Sequence, residues 1–202
     1  MQGYVSANLK SIIDEVGESA AKALLSNFTC PQNKDVENFL KHKAIEFAKQ
    51  SIATTYLVFG SYKGNNVLIG YFTLANKFVA IYKEGLSSTY RRRISKFCQF
   101  DRDIKRYTLA APLIAQLGKN FYNGYNELIT GDELLKMACD KVKESQVIIG
   151  GKVVYLECED KEKLTGFYAS NGFVNFGKRK LDKDETDVME GQYLVQMLKY
   201  LA

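Results

Sequence analysis

The stretch from 107 to 158 constrains the fold most. Residues 107–117, YTLAAPLIAQL, are an apolar run of strand length, and residues 153–158, VVYLEC, are another. The segment joining them is too long for a hairpin and carries a helix. Thr130 and Glu133 have the spacing of a capping box, in which the two residues satisfy each other's free donors. Beyond them Leu134, Leu135, Ala138 and Val142 recur at helical spacing, and Gly150-Gly151 stops the helix. A strand, a crossover helix and a second strand bring two strands together in parallel. Pro112 lacks a backbone donor, so the first strand should have a bulge or a free side there.

The flanking segments set what surrounds that pair. Leu9, Ile12, Ile13, Val16, Ala20 and Ala23 predict one helix over 6–26, and the apolar spacing from Val36 to Ala48 predicts a second. Residues 54–62 and 67–74 are β-branched and aromatic runs around Lys63-Gly64-Asn65-Asn66, which reads as a β-hairpin. A strand is expected over 78–82 and a helix over 87–97. A further helix spans 160–170, closed by Asn171-Gly172. Strands at 173–177 and 193–201 end the chain, with 178–190 as an alternating-charge loop. The expected fold is α/β (α+β): a mixed, mostly antiparallel sheet with a central parallel pair and helices on both faces. It is read as a single domain over 1–202, with 1–27 as an N-terminal helical extension.

At 202 residues the chain can bury a core without disulfides or a metal. Cys30, Cys98, Cys139 and Cys158 are scattered with no CxxC pair, and His42 is the only histidine. That excludes the usual zinc spacings, so no metal is expected. Free cysteines suit a reducing compartment, and a cytoplasmic location is expected. No apolar stretch is long enough to cross a bilayer, and the first residues lack a basic patch followed by an apolar run. Residues 1–100 carry 13 basic and 7 acidic side chains, a net charge of +6, whereas 101–202 carry 15 and 16. The densest basic point is Arg91, Arg92, Arg93 and Lys96. Such a run attracts phosphates or is a solvated face.

Two segments carry candidate chemistry. From 113 to 131 a strand enters a Gly-containing loop and then a capped helix, whose first turn has free N–H groups and a partial positive charge suited to phosphate. From 166 to 173 the sequence GFYASNGF places Tyr168 near the end of a short helix.

Phe167-Tyr168, Gly172-Phe173 and the strand end Leu156-Glu157-Cys158 together resemble the GNAT superfamily of acyl-CoA-dependent N-acetyltransferases. Phe28, Cys30, Phe39-Leu40 and Ala44, then Thr55-Tyr56-Leu57-Val58 and residues 113–117, resemble its toxin-type branch. The resemblance covers roughly 28–177. It departs from the family at the pyrophosphate loop, where only Gly131 of residues 126–131 fits, and at Lys161, where many members have Asn.

The resemblance implies direct acetyl transfer from acetyl-CoA to a primary amine in a ternary complex. Tyr168 would be the general acid for the departing thiolate. Glu157 would be the base, with Glu159 and Asp160 as alternatives. The coenzyme would lie on main chain around Leu117, Gly118, Lys119, Asn126, Thr130, Gly131 and Asp132, with Lys161 nearby. Cys158 is expected to pack rather than to carry an acyl group. Aminoacyl-tRNA as the acceptor is the toxin-type alternative, a GNAT-shaped binding module with little catalysis is another, and a homodimer is a further candidate.

Overall fold

The computed structural model describes residues 3–181 and 192–201. Their contacts form two compact units, Met1–Ala75 with Ala115–Ala138, and Asn76–Ile114 with Cys139–Ala202.

The first unit opens with a short strand, β1 (Val5–Asn8), followed by helices α1 (Leu9–Val16) and α2 (Glu18–Ser26). The single helix expected over 6–26 is therefore broken at both ends of α1. β1 pairs antiparallel with β2 (Thr54–Tyr62), Val5 opposite Phe59 and Asn8 opposite Tyr56, so ladder bonding replaces the first helical turn. The Asn8 side chain then caps α1 by accepting from the Lys10 N–H at 2.8 Å. Gly17, at φ +83°, separates α1 from α2, a conformation that costs a residue with a Cβ.

The second expected helix starts earlier and is not uniform. Asn33 caps α3 (Lys34–Asn38), accepting from Asp35 and Val36, and a π-helical turn (Phe39–Lys43) leads to α4 (Ala44–Lys49). The hairpin of β2 and β3 (Asn65–Tyr82) turns on two residues, Lys63 and Gly64, both at positive φ. That is the turn geometry that matches strand twist. Asn65 and Asn66 accordingly belong to β3. Leu9, Leu25, Phe28, Leu40, Leu57 and Tyr71 form the centre of this unit's core.

The second unit holds the rest of β3, helix α5 (Ser88–Ile94), β4 (Gln99–Asp101), β5 (Arg106–Lys119) as far as Ile114, and helix α6 (Gly131–Ile149) from Cys139. It continues through β6 (Val153–Glu159), α7 (Glu162–Ser170), β7 (Val174–Lys180) and β8 (Tyr193–Tyr200). The strand order is β3-β5-β6-β8-β7, with β4 also on β5; in the first unit it is β1-β2-β3-β5. β5 and β6 are parallel, Leu113 opposite Tyr155 and Ile114 opposite Leu156. β4 on β5, β6 on β8 and β7 on β8 are antiparallel. The fold class is thus mixed α/β, mostly antiparallel with one parallel pair.

β7 runs through Lys180, paired with Tyr193, so 178–180 are strand rather than loop. Their long charged side chains alternate across the pleat and do not interrupt the ladder. The remainder of the expected loop, 182–190, lies outside the described residues. Val79, Ile81, Ile94, Tyr107, Leu109, Tyr155, Phe176 and Leu198 form this unit's core. A 3-10 turn, Lys83–Gly85, packs on β7 so closely that a Cβ on Gly85 would stand 2.1 Å from the Phe176 carbonyl oxygen.

Candidate active site

In the second unit the residues of interest sit just past the last register pair between β5 and β6. The register ends at Leu156, and β6 continues through Glu157, Cys158 and Glu159. On its other side these residues pair with Gln196, Val195 and Leu194 of β8. On the side of β5 this stretch makes no register pair.

α7 follows directly and is closed by a complete Schellman motif. The Phe173 N–H donates to the Tyr168 carbonyl at 3.1 Å and the Gly172 N–H to the Ala169 carbonyl at 2.9 Å, with Gly172 at φ +82°. The F-Y-x-x-x-G-F pattern is therefore legible as local geometry. Gly172 supplies the left-handed turn, and Phe173 ties the chain back onto Tyr168. The Tyr168 ring is half-buried, edge-on to Phe167 at 5.0 Å and to Phe173 at 5.9 Å. Burial pushes its phenol above the ordinary tyrosine value, and the neighbouring Cys158 adds to the shift. The group is protonated across the physiological range. No described residue hydrogen-bonds its hydroxyl.

Glu157 is differently placed. Its carboxylate accepts from Arg179 Nε at 2.6 Å and from Gln196 Nε2 at 2.8 Å. Strand alternation puts it on the face opposite Cys158, whereas Tyr168 interacts with Cys158. Both oxygens already have donors, so Glu157 is an ion-paired strand carboxylate rather than a free base. Glu159 is paired with Lys161 at 3.2 Å and Asp160 with Lys178. Cys158 is buried, and burial with the adjacent acids pushes its thiol up to about 11. It is not a thiolate at neutral pH. Lys161 is the N-cap of α7 and caps it without its side chain; its carbonyl accepts from Leu164 and Thr165.

In the first unit the expected coenzyme residues have mostly acquired internal partners. Leu117 is half-buried. Gly118 is a packing position: a Cβ there would lie 2.4 Å from Val36 Cγ1. Lys119 donates through Nζ to the Asn126 carbonyl at 2.9 Å, bracing the loop that follows. Sequence reasoning missed Asn120, which is buried. Its Oδ1 accepts from the Thr29 and Tyr122 N–H groups, and its Nδ2 donates to the Leu68 carbonyl. Nothing in its local pattern signals this, because the partners lie 52 and 91 residues away or across a turn. The loop itself is a 3-10 segment, Tyr122–Glu127, kinked by Asn123 and Gly124 at positive φ.

The capping box is present as expected: Thr130 Oγ1 accepts from the Glu133 N–H at 3.1 Å, and Glu133 accepts from the Thr130 N–H at 2.8 Å. Tyr4 also reaches Glu133 and the Leu128 carbonyl. These bonds use the N3 donor of α6, while the Gly131 N–H precedes the intrahelical ladder.

No family model matches the chain, and no curated protein sequence matches it. Solved structures do match in shape. A structure described as a bacterial toxin aligns over 100% of this chain and 92% of its own at 16% identity, with a TM-score of 0.62. AtaT complexed with acetyl-methionyl-tRNA aligns over 96% and 94%, also at 16% identity and 0.62. A Tyr-to-Phe mutant of KacT aligns over 97% and 94% at 16% identity and 0.61. The fold is that of the GNAT-type toxins. Another structure of this fold, AtaTR, was solved bound with acetyl-CoA, at 16% identity and a TM-score of 0.55.

Proposed function

We propose that the protein is an acetyl-CoA-dependent N-acetyltransferase acting on a primary α-amine. The observation that carries it is the Tyr168 phenol, protonated and without a hydrogen-bond partner among the described residues, held by the α7 turn beside Cys158, where β6 makes no register pair with β5. In the second unit residues 157–159 make no register pair with β5 and suit a pantetheine amide, and in the first the Gly131 N–H at the start of α6 suits a phosphate. Thr130 shapes that terminus, while Lys119, Asn126 and Gly118 support the loop from within. Acetyl-CoA supplies an activated acyl group. Tyr168 holds the proton that a leaving thiolate needs. Its raised pKa makes it a hydrogen-bond donor first and a full proton donor only as thiolate charge develops.

The acceptor class rests on the three candidate bases, Glu157, Glu159 and Asp160, each being ion-paired. Neutralising a lysine amine of pKa ~10.4 at pH 7 costs roughly 4.6 kcal/mol, whereas an α-amine at about 7.7–8.0 costs only about 1 kcal/mol. An α-amine therefore needs no dedicated base, and Glu157 is free to stay paired with Arg179. Aminoacyl-tRNA, whose reactive group is such an amine, is the second reading. The concentration of positive charge over 76–106 favours it.

The test is Tyr168→Phe. Acetyl-CoA titration in a thermal-shift assay should stabilise wild type and variant alike, by about 2.7 kcal/mol at 100 times the dissociation constant. Turnover should fall roughly 10²-fold in the variant. Stabilisation with no turnover in the wild type would instead mark a binding module.

A further inference from the structure

Residues 107–111 of β5 alternate strictly. Tyr107, Leu109 and Ala111 are buried, while Thr108 and Ala110 are exposed on the other face of the sheet. Both outward side chains are small, and both line an open concavity of about 670 Å³ within the second unit. Three phenylalanines line it with them: Phe78 from β3, Phe97 from the turn after α5, and Phe100 from β4. The volume lies inside the range of about 300–1,000 Å³ that small-molecule sites occupy.

Two of the three rings are fixed by the fold. Phe100 tilts against Tyr107 at 4.9 Å, with Lys83 Nζ 5.9 Å from its ring, and Phe97 lies 6.3 Å from Tyr200. The turn that carries Phe97 is closed on the Ile94 carbonyl, by the Phe97 N–H at 2.8 Å and by the Cys98 thiol at 3.2 Å. Phe78 differs. It is 81% exposed and has no ring partner among the described residues. Its apolar surface stays in water unless a ligand covers it.

The polar lining sets the charge of the occupant. Among the described residues that line the concavity, Lys96 is the only cation and Asp101 the only carboxylate. Lys96 is in no ion pair with a described residue. Asp101 is engaged by its own loop, its Oδ1 accepting from the Asp103 N–H at 2.9 Å and the Ile104 N–H at 3.2 Å in an Asx turn. A single unpaired ammonium beside aromatic walls suits one negative charge on an apolar body. We propose that this concavity binds a small aromatic monoanion, a carboxylate or sulfonate carried on a flat ring system. The ligand's rings make tilted or offset contacts with Phe78, Phe97 and Phe100, and its anionic group faces Lys96. The site uses no residue of β6 or α7 and is independent of acetyl transfer.

The test is titration of the full chain, without acetyl-CoA, with anilinonaphthalene sulfonate, an aromatic monoanion whose fluorescence rises when its rings leave water. Binding should saturate at one probe per chain. Phe78→Ala and Phe97→Ala should each weaken it about 5-fold, the size of an aromatic pair contact. Lys96→Gln should weaken it about 3-fold, the size of an exposed charge pair, and should leave binding of the uncharged N-phenylnaphthylamine unaltered. Phe78 and Lys96 are exposed, so their variants should keep the wild-type melting temperature. Ala110→Trp, at another exposed position, should abolish binding by filling the concavity. Naphthoate should displace the probe and decanoate should not. Wild-type affinity in both phenylalanine variants would overturn the proposal, as would displacement by decanoate but not by naphthoate. So would an equal loss of the charged and uncharged probes in Lys96→Gln.

Discussion

The turn from α7 to β7 and the loop from β5 to α6 do opposite things with their main chain. In the first, Gly172 and Phe173 close the helix by backbone bonds, the Asn171 and Ser170 side chains bond only the nearby Phe167 carbonyl, and Tyr168 keeps a free hydroxyl. In the second, side chains fill the space. Val36 packs against Gly118, Asn120 ties three backbone groups, two of them distant, and Lys119 holds the Asn126 carbonyl. A reactive group stays available where local geometry satisfies its surroundings. A loop stabilised by long-range side-chain bonds has few donors left for a ligand.

That contrast can be broken most forcefully at Asn120. Asn120→Ala leaves the Thr29 and Tyr122 donors and the Leu68 acceptor without partners in a buried place, at about 1–3 kcal/mol for each group that water does not reach. Chemical denaturation should show a loss of about 3 kcal/mol or more; a loss under about 1 kcal/mol would mean that the loop is not held from there. Gly118→Ala comes next. Its new methyl meets Val36, and overpacking of this kind costs typically about 1–3 kcal/mol. Val36→Ala in the same chain should recover part of the loss.

Gly172→Ala sharpens the other side. The left-handed cap costs a residue with a Cβ about 1–2 kcal/mol. Because Phe173 bonds back to Tyr168, turnover should drop beyond what the stability loss explains. Unchanged turnover would separate the Schellman closure from catalysis.

The smallest effect concerns pH. Hydrogen bonds from Thr130, through its N–H first and then its hydroxyl, hold the Glu133 carboxyl below its usual range. A depressed folded-state pKa contributes stability that is present above the unfolded value, about 4.3, and is lost as pH falls through the folded value. Glu133→Gln should flatten that acid limb in melting temperature measured from pH 6 downward, with little change at pH 7. An unaltered acid limb would show that the capping box carries none of it.

Much of the second region was legible beforehand. The capping box, the Gly150-Gly151 stop, the parallel pair and the closure at Asn171-Gly172 are all local or near-local patterns, and each is in place. The helix expected over 6–26 failed because β1 exists only by pairing with β2, some 50 residues away. Glu157 was readable as a strand-end carboxylate. Its partner Arg179 lies 22 residues on, in a strand brought alongside by β8.

The sequence by itself determined where the chain turns, caps and alternates, since those depend on dihedral preferences and on neighbours within a few residues. Only the tertiary structure decided which polar groups are spent and which are free. Tyr168 is open, Glu157 is paired, Lys119 and Asn120 are consumed, and the cations of 76–106 face no described carboxylate. Hydrogen bonds and ion pairs are short-range, so they depend on which distant residues the sheet brings within reach.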